Sequence, residues 1–500
     1  MSKYLQIFEV VYGALAGARR ARRLLLTGAL LALAVGAYGQ TAQPALESAR
    51  AAAEHGVAAG QLYMGESYRD GDGVPQDYKE AARWFRLAAD QGNALAQFNL
   101  GYLYYAGQGV AQDHKEAVHW YLLAAEQGMD SAETNLAYAY HTGDGAPQDD
   151  KEAVRWYRMA ADKGNALAQT ALGDSYHNGE GVTHDLKEAM RWYRMAADQG
   201  DAVAQFHVAD SYRTGEGVAQ DNKEAAHWYK LSADQGYVTA QAFLGLMYLD
   251  GLGVAKDSKE AARMFQLAAN QGHAVAMFNL ADCYRLGEGV PRDPKEALRL
   301  YRFLAEHGDQ AAQNNVGIAY RDGDGVAKDA AEAVKWFRQA ADMGYSAAED
   351  NLATAYRMGD GLPQDYKEAL RWFHSAAEQV DAIAQFNLGG MYERGEGVAQ
   401  SYEEAAKWYR LAADQGDPTA QFVTGKMYAA GQGVARDAVQ AWEWLDLAAA
   451  SGGAEAADAG TARDALTRAM TAAQLGQAKS LVDKWKADQV ESQPFGLFTK

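Results

Sequence analysis

Residues 93–128 read NALAQFNLGYLYYAGQGVAQDHKEAVHWYLLAAEQG, and their spacing decides the fold. In the first half, Ala96, Leu100 and Tyr104 fall four apart, on one face of a helix. In the second half, Ala117, Trp120, Tyr121, Ala124 and Ala125 fall at i, i+3, i+4, i+7 and i+8, an apolar stripe at helical period. Gly107 stands where the first helix must stop, at a position suited to a left-handed cap. Asp113, three residues before Glu116, predicts an acidic form of the capping box at the start of the second helix. Gly128 ends that helix. Bulky rings on one helix then face alanines and glycines on its neighbours, which lets helices approach closely.

The unit is repeated. The loop GQG at 107–109 is GDG at 71–73 and 143–145 and GEG at 179–181, and it returns every 36 residues through 431, eleven copies without insertion. A fixed period of about 20–50 residues marks a solenoid or array, and it overrides the count of about three domains that length alone suggests. The N-cap position that opens each unit is often Asn or Asp, as at Asn93, Asn165, Asp201, Asp309 and Asp417.

The motifs A-Q-F-N-L-G-x-x-Y, G-x-G-V, D-x-K-E-A and W-Y-R-x-A-A-D-Q-G resemble the Sel-1-like repeat, a relative of the tetratricopeptide repeat, over residues 57–452. The resemblance implies an all-α fold: an α/α superhelical solenoid of eleven helix-turn-helix units, right-handed, that binds other proteins. Residues 43–56 align with a second helix alone, a half-repeat capping the N-terminal end. Residues 454–488 lose the register and read as two capping helices, the second opened by Thr471 and Gln474 as a capping box and striped by Leu475, Ala478, Leu481 and Trp485. Residues 489–500 read as a loose tail.

The N-terminal 39 residues read differently. RRARR at 19–23 precedes the uncharged run LLLTGALLALAVGAYG, with small residues near Ala37 and Gly39, the pattern of a cleaved signal peptide. The alternative is an uncleaved anchor, although 16 apolar residues are short for a span. An exported protein, periplasmic or extracellular, is the expectation. An inner-membrane anchor facing the periplasm is the alternative, and only that uncleaved segment would meet a membrane. A net charge of −19 lacks the basic footprint of a nucleic-acid binder.

Chemistry-bearing motifs dissolve into the repeat. RDGDGVPQD at 69–77 resembles an ion loop, but the Asp70 position becomes Ala, Thr, Asn, Leu, Met or Arg in other copies, while the glycines never change. An EF-hand would also need an oxygen ligand at Val74 and Glu at Ala81. His114 and His119 are five residues apart, about 140° around a helix, so they do not converge as zinc ligands do. Ser175 and the lone cysteine, Cys283, share a packing position with Leu103, Ala139 and Met247. The tryptophans belong to the core stripe. No catalytic residue, metal ligand or cofactor is expected.

Function then lies in the positions that vary. Matching L-G-x-x-Y onto the tetratricopeptide pattern, whose first helices line the concave face, places the positions of Phe98, Tyr102 and Tyr105 in a groove. The early copies put Tyr102, Tyr105, Tyr138 and His141 there; Asp174, His177, Asp210 and Arg213 follow, then Asp282, Arg285, Arg321 and Arg357. Tyrosine and arginine are common interface anchors, and arginines on so acidic a chain could grip carboxylates of an acidic partner. Alternatively each arginine pairs with a loop acid: Glu216, Glu288, Asp324 or Asp360. The reading is a non-enzymatic scaffold or adaptor for other proteins or extended peptide segments. Its alternatives are a cell-wall or β-lactam-interacting hydrolase, supported only by export, and a membrane-anchored regulator. Val380, replacing the glycine that closes the other ten repeats, predicts a changed angle or flexure at that junction.

Overall fold

The computed structural model describes residues 42–492, so the expected signal segment and the end of the tail lie outside the described residues. Among the described residues there are 25 α-helices and no strand. They fall into two compact units, divided between Gln220 and Asp221. Each is an α/α solenoid in which consecutive helices pack on one another. Eleven helix pairs follow the period, from Ala58–Asp70 with Tyr78–Ala89 to Pro418–Ala430 with Ala438–Ala450. Ala42–Glu54 precedes them, and Ala456–Ala469 and Ala472–Ser492 follow.

The punctuation forms as the spacing predicts, with one difference. Gly107 caps the first helix at φ 66°, its N–H donating to the Leu103 carbonyl. Asp113 opens the second helix by accepting from the N–H groups of Lys115 and Glu116, a cap worth about 1 kcal/mol. Glu116 does not complete the capping box: it accepts from Trp120 Nε1 at 3.0 Å. Its counterparts Glu80, Glu152 and Glu188 bind the arginine one turn on, and the N–H a box would use is already taken, Asp113 N–H donating to the Tyr104 carbonyl at 3.0 Å. Thr471 and Gln474 do form the reciprocal box, Thr471 N–H donating to Oε1 at 2.9 Å and Gln474 N–H to Oγ1 at 3.3 Å.

The second loop glycine has a separate role. A β-carbon on Gly109 would stand 2.1 Å from the carbonyl oxygen of Tyr78, where the preceding repeat's second helix begins. Gly145 meets His114 and Gly181 meets Asp150 in the same way, at 2.2 and 2.1 Å. Glutamines add a second link. Gln97 Nε2 donates to the carbonyl of Ala89 at the end of the preceding helix, and its Oε1 accepts from Gln127 at 2.7 Å. Where Glu133 takes the glutamine position, Lys163 replaces its partner and the pair closes at 2.5 Å.

Rings fill the space that small residues leave. Tyr121 lies so close over Gly101 that a β-carbon there would be 2.9 Å from the ring. Cys283 is buried at 3% exposure within a hydrophobic cluster with Leu280, Tyr301 and Leu304.

Val380 keeps the turn instead of changing it. Its φ is 66°, the only positive value on a non-glycine among the described residues, and Asp381 N–H still reaches the Ala376 carbonyl at 3.3 Å. At Gly92, Gly164 and Gly200 an added β-carbon would meet nothing within 4 Å, so the closing position has room for a side chain. The cost is backbone strain, not collision. Val380→Gly is expected to raise stability by about 1 kcal/mol, the left-handed penalty less glycine's extra unfolded entropy. Gly109→Ala, which collides with backbone, is expected to lose at least about 2 kcal/mol. Urea unfolding of both variants checks the pair.

Candidate partner-binding face

Phe98 is buried at 2% exposure, its ring 5.9 Å from Tyr121, and Phe278 and Phe386 sit likewise on Tyr301 and Tyr409. That position largely seats the first helix on the second. The positions of Tyr102 and Tyr105 are more open: of the twelve expected site residues, eleven are half-buried and Arg285 is exposed.

In the first unit, Tyr102, Tyr105 and Tyr138 gather on helices Ala94–Ala106 and Asp130–Thr142. Burial, then the neighbouring Tyr138, Asp144 and Tyr102, push the Tyr105 hydroxyl up to about 12. The Tyr105 ring lies 5.0 Å from His114, which binds Asp144 at 2.5 Å. The space enclosed beside Tyr105 and Tyr138 is only about 10 Å³, room for about one water. His141 is tied to Asp150 at 3.0 Å. Further along, Asp174 accepts from the Tyr193 hydroxyl at 2.7 Å, and His207 stacks on Tyr193 at 4.6 Å. Burial pushes the His207 imidazole below its ordinary pKa, against the pull of Asp174 and Asp210 and with the help of His177. Arg213 binds Asp210, one turn earlier, at 2.6 Å.

In the second unit, Asp282 binds Arg285 at 2.6 Å and accepts from the Tyr301 hydroxyl at 2.7 Å. Arg321 grips Asp322 through Nε and Nη2 at 2.8 and 3.0 Å, while Nη1 donates to Asn351 at 2.8 Å. Asn351 in turn donates to Asn314 at 2.9 Å. Hence Arg285 and Arg321 take acids from their own helices, and the loop acid Asp324 holds Arg292 instead, at 2.6 Å. Arg357 differs: its Nε is buried without a hydrogen-bond partner, and no ion pair holds it among the described residues.

Two features escaped the sequence reading. Arg69 shares the arginine position in the first repeat, nearly buried, bound to Asp70 at 2.7 Å and to Asn99 at 3.1 Å. The asparagines beside the face, Asn99, Asn351 and Asn387, link adjacent repeats through these bonds and through Asn387 to Asp350 at 3.1 Å. The signal was present: asparagine recurs at that position at the 36-residue period.

Among the described residues, no cluster of three or more His, Cys, Asp or Glu side chains could hold a metal ion, and no helix is long and apolar enough to cross a membrane. Burial pushes Asp350 up to about 6, opposed by Asn387, Arg357 and Arg321 and assisted by Asp381. A carboxyl whose folded pKa is raised binds protons more tightly when folded, so stability is lost as pH rises from about 4 to about 6. Asp350→Asn keeps the acceptor for Asn387 and removes the charge. It is expected to raise the Tm at pH 8 and leave it nearly unchanged at pH 4, measured by calorimetry.

Comparison with known proteins places this architecture. The Sel1 repeat pattern matches eleven consecutive segments, from 58–93 to 418–453. No curated protein matches the chain. Among solved structures, c5321, a protective antigen of uropathogenic Escherichia coli displaying an SLR fold, is 35% identical with a TM-score of 0.77, over 91% of this chain and 99% of that one. A Sel1 repeat protein from Oxalobacter formigenes is 36% identical over 49% of this chain and 95% of its own, with a TM-score of 0.44. With every helix pair from Ala58 to Ala450 falling within a matched copy, the chain belongs to the Sel1 repeat family, whose solenoids are in general protein-interaction scaffolds and not enzymes.

Proposed function

We propose that the chain is an exported, non-catalytic scaffold that holds other proteins, or extended segments of them, against the exposed face of its first helices. The observation that carries this reading is the contrast between positions. Those that build the repeat hold the same small set of residues in all eleven copies, whereas the positions of Tyr102 and Tyr105 change from tyrosine to histidine, aspartate and arginine and, from repeat two to repeat nine, stay partly open to solvent. A surface whose residues the repeat does not dictate, with aromatic and guanidinium groups on it, suits recognition.

The partners that the second unit would favour carry carboxylates, since Arg285, Arg321 and Arg357 all lie on its first helices. Export rests on the pattern of residues 19–39, and the site of action would be the periplasm or the cell exterior; sequencing the mature N-terminus tests whether that segment is removed.

The triple variant Arg285→Ala, Arg321→Ala, Arg357→Ala is the test of the scaffold reading. Cross-linking in intact cells, pull-down and mass spectrometry should show the wild-type set of partners falling at least about tenfold, with helicity by circular dichroism unchanged. An unchanged set would overturn the reading.

A further inference from the structure

Resting on that reading, we propose that Arg357 is the residue that takes the partner's carboxylate, and that the other arginines at its repeat position do not. The argument is a comparison inside the chain. Five repeats place arginine there: Arg69, Arg213, Arg285, Arg321 and Arg357. Two carry an aspartate three residues earlier on the same helix, Asp210 for Arg213 and Asp282 for Arg285, each closing at 2.6 Å. Two carry an aspartate at the next residue, Asp70 for Arg69 and Asp322 for Arg321, each gripped side-on through Nε and Nη2. Arg357 has Thr354 in the first of these places and Met358 in the second.

Its guanidinium is therefore half-buried with no counterion bonded to it among the described residues, and its Nε is without an acceptor. A partly desolvated cation left this way costs free energy that an arriving carboxylate recovers. None of the charged groups that share this neighbourhood is bonded to Arg357 among the described residues. Asp350, two turns earlier on the same helix, attracts Arg357 through space, but no ion pair joins them among the described residues and its Oδ1 accepts from Asn387. Arg321, from the preceding repeat, adds positive potential while spending its own hydrogen bonds on Asp322 and Asn351. Asp381, from the following repeat, is engaged in capping its own helix, accepting from Ala384 N–H. The ligand class is a carboxylate on an extended polypeptide, either an acidic side chain or a chain terminus.

The full chain, 15N-labelled at arginine, offers a direct readout. Arg357 Nε–H is assigned as the resonance lost in Arg357→Ala, and it is followed during titration at low salt. N-acetylglutamate α-amide serves as the side-chain carboxylate and N-acetylglycine as the terminal one. The Arg357 resonance should move saturably with at least one of them, and which one names the source. The resonances of Arg213, Arg285 and Arg321 should stay in place. Thr354→Asp and, separately, Met358→Asp each supply the aspartate that the other repeats possess; both keep the arginine, and Met358 is 65% exposed, so its replacement is tolerated. Each should abolish the shift.

A stationary Arg357 resonance, equal shifts at all the arginines, or a shift undiminished in both aspartate variants would overturn the proposal. Partner capture separates it from the scaffold reading. Loss of partners in Thr354→Asp and Met358→Asp supports the assignment. Retention in those two with loss in the triple arginine variant overturns the assignment alone, and retention in all three overturns the scaffold reading itself.

Discussion

In each repeat a backbone carbonyl lies where the β-carbon of the next repeat's second loop glycine would be. At Gly109, Gly181 and Gly253 that distance would be 2.1, 2.1 and 1.9 Å, far inside any tolerable contact. The loop must therefore carry no side chain at this point and must adopt a left-handed backbone, 72° at Gly109. One contact thus sets both the conformation of the loop and its distance from the previous helix. An inserted residue would move the glycine off the carbonyl, which accounts for eleven copies of a single length. Because the contact joins only nearest neighbours, the solenoid is a sum of similar seams, with the glutamine links of Gln97 and Gln241 and the ring-on-glycine contacts repeated along each unit.

That regularity sorts the irregular positions. Some departures arrive in matched sets. Glu133 for glutamine comes with Lys163 for glutamine, and the two bond across 30 residues. Asp282 arrives with a tyrosine at 301 and an arginine at 285, and it serves both. Asp174 does the same for Tyr193. Variation of this kind is satisfied within the fold, so a variable position is not by that fact a recognition site. What remains for recognition is the surface these sets leave unsatisfied.

Much of this was legible in the sequence because it is local. The period, the left-handed stop at Gly107, the cap at Asp113 and the ring-against-glycine stripe depend on spacing within one unit, and they appear where the spacing puts them. Arg213 with Asp210 was readable by the same rule, since residues three apart on a helix are neighbours. The two glycines of the loop look alike in sequence but do different things, and only the neighbouring repeat distinguishes them. The bonds from Arg321 to Asn351 and from Gln127 to Gln97 join residues 30 apart, a separation that no helical or strand period flags. Val380 was expected to alter its junction. It keeps the turn because the hydrogen bonds around it are those found at Gly92, Gly164 and Gly344 and the closing position leaves open space for its side chain.

Unmatched departures concentrate in one place. Repeat nine, residues 345–380, contains Arg357 without its aspartate and Val380 in a backbone conformation that disfavours a β-branched residue. The same repeat holds Asp350, whose burial works against its own charge. Nothing in the seams of the solenoid requires these features, since ten other copies stack with glycine at the closing position and four other arginines are neutralised. A strained backbone and a cation with no bonded counterion are what the proposed partner would answer. A carboxylate at Arg357 would meet the electrostatic part. With the proposed carboxylate there, the centre of recognition would be the first helix of repeat nine, Ser346–Met358, and not the arginines as a set.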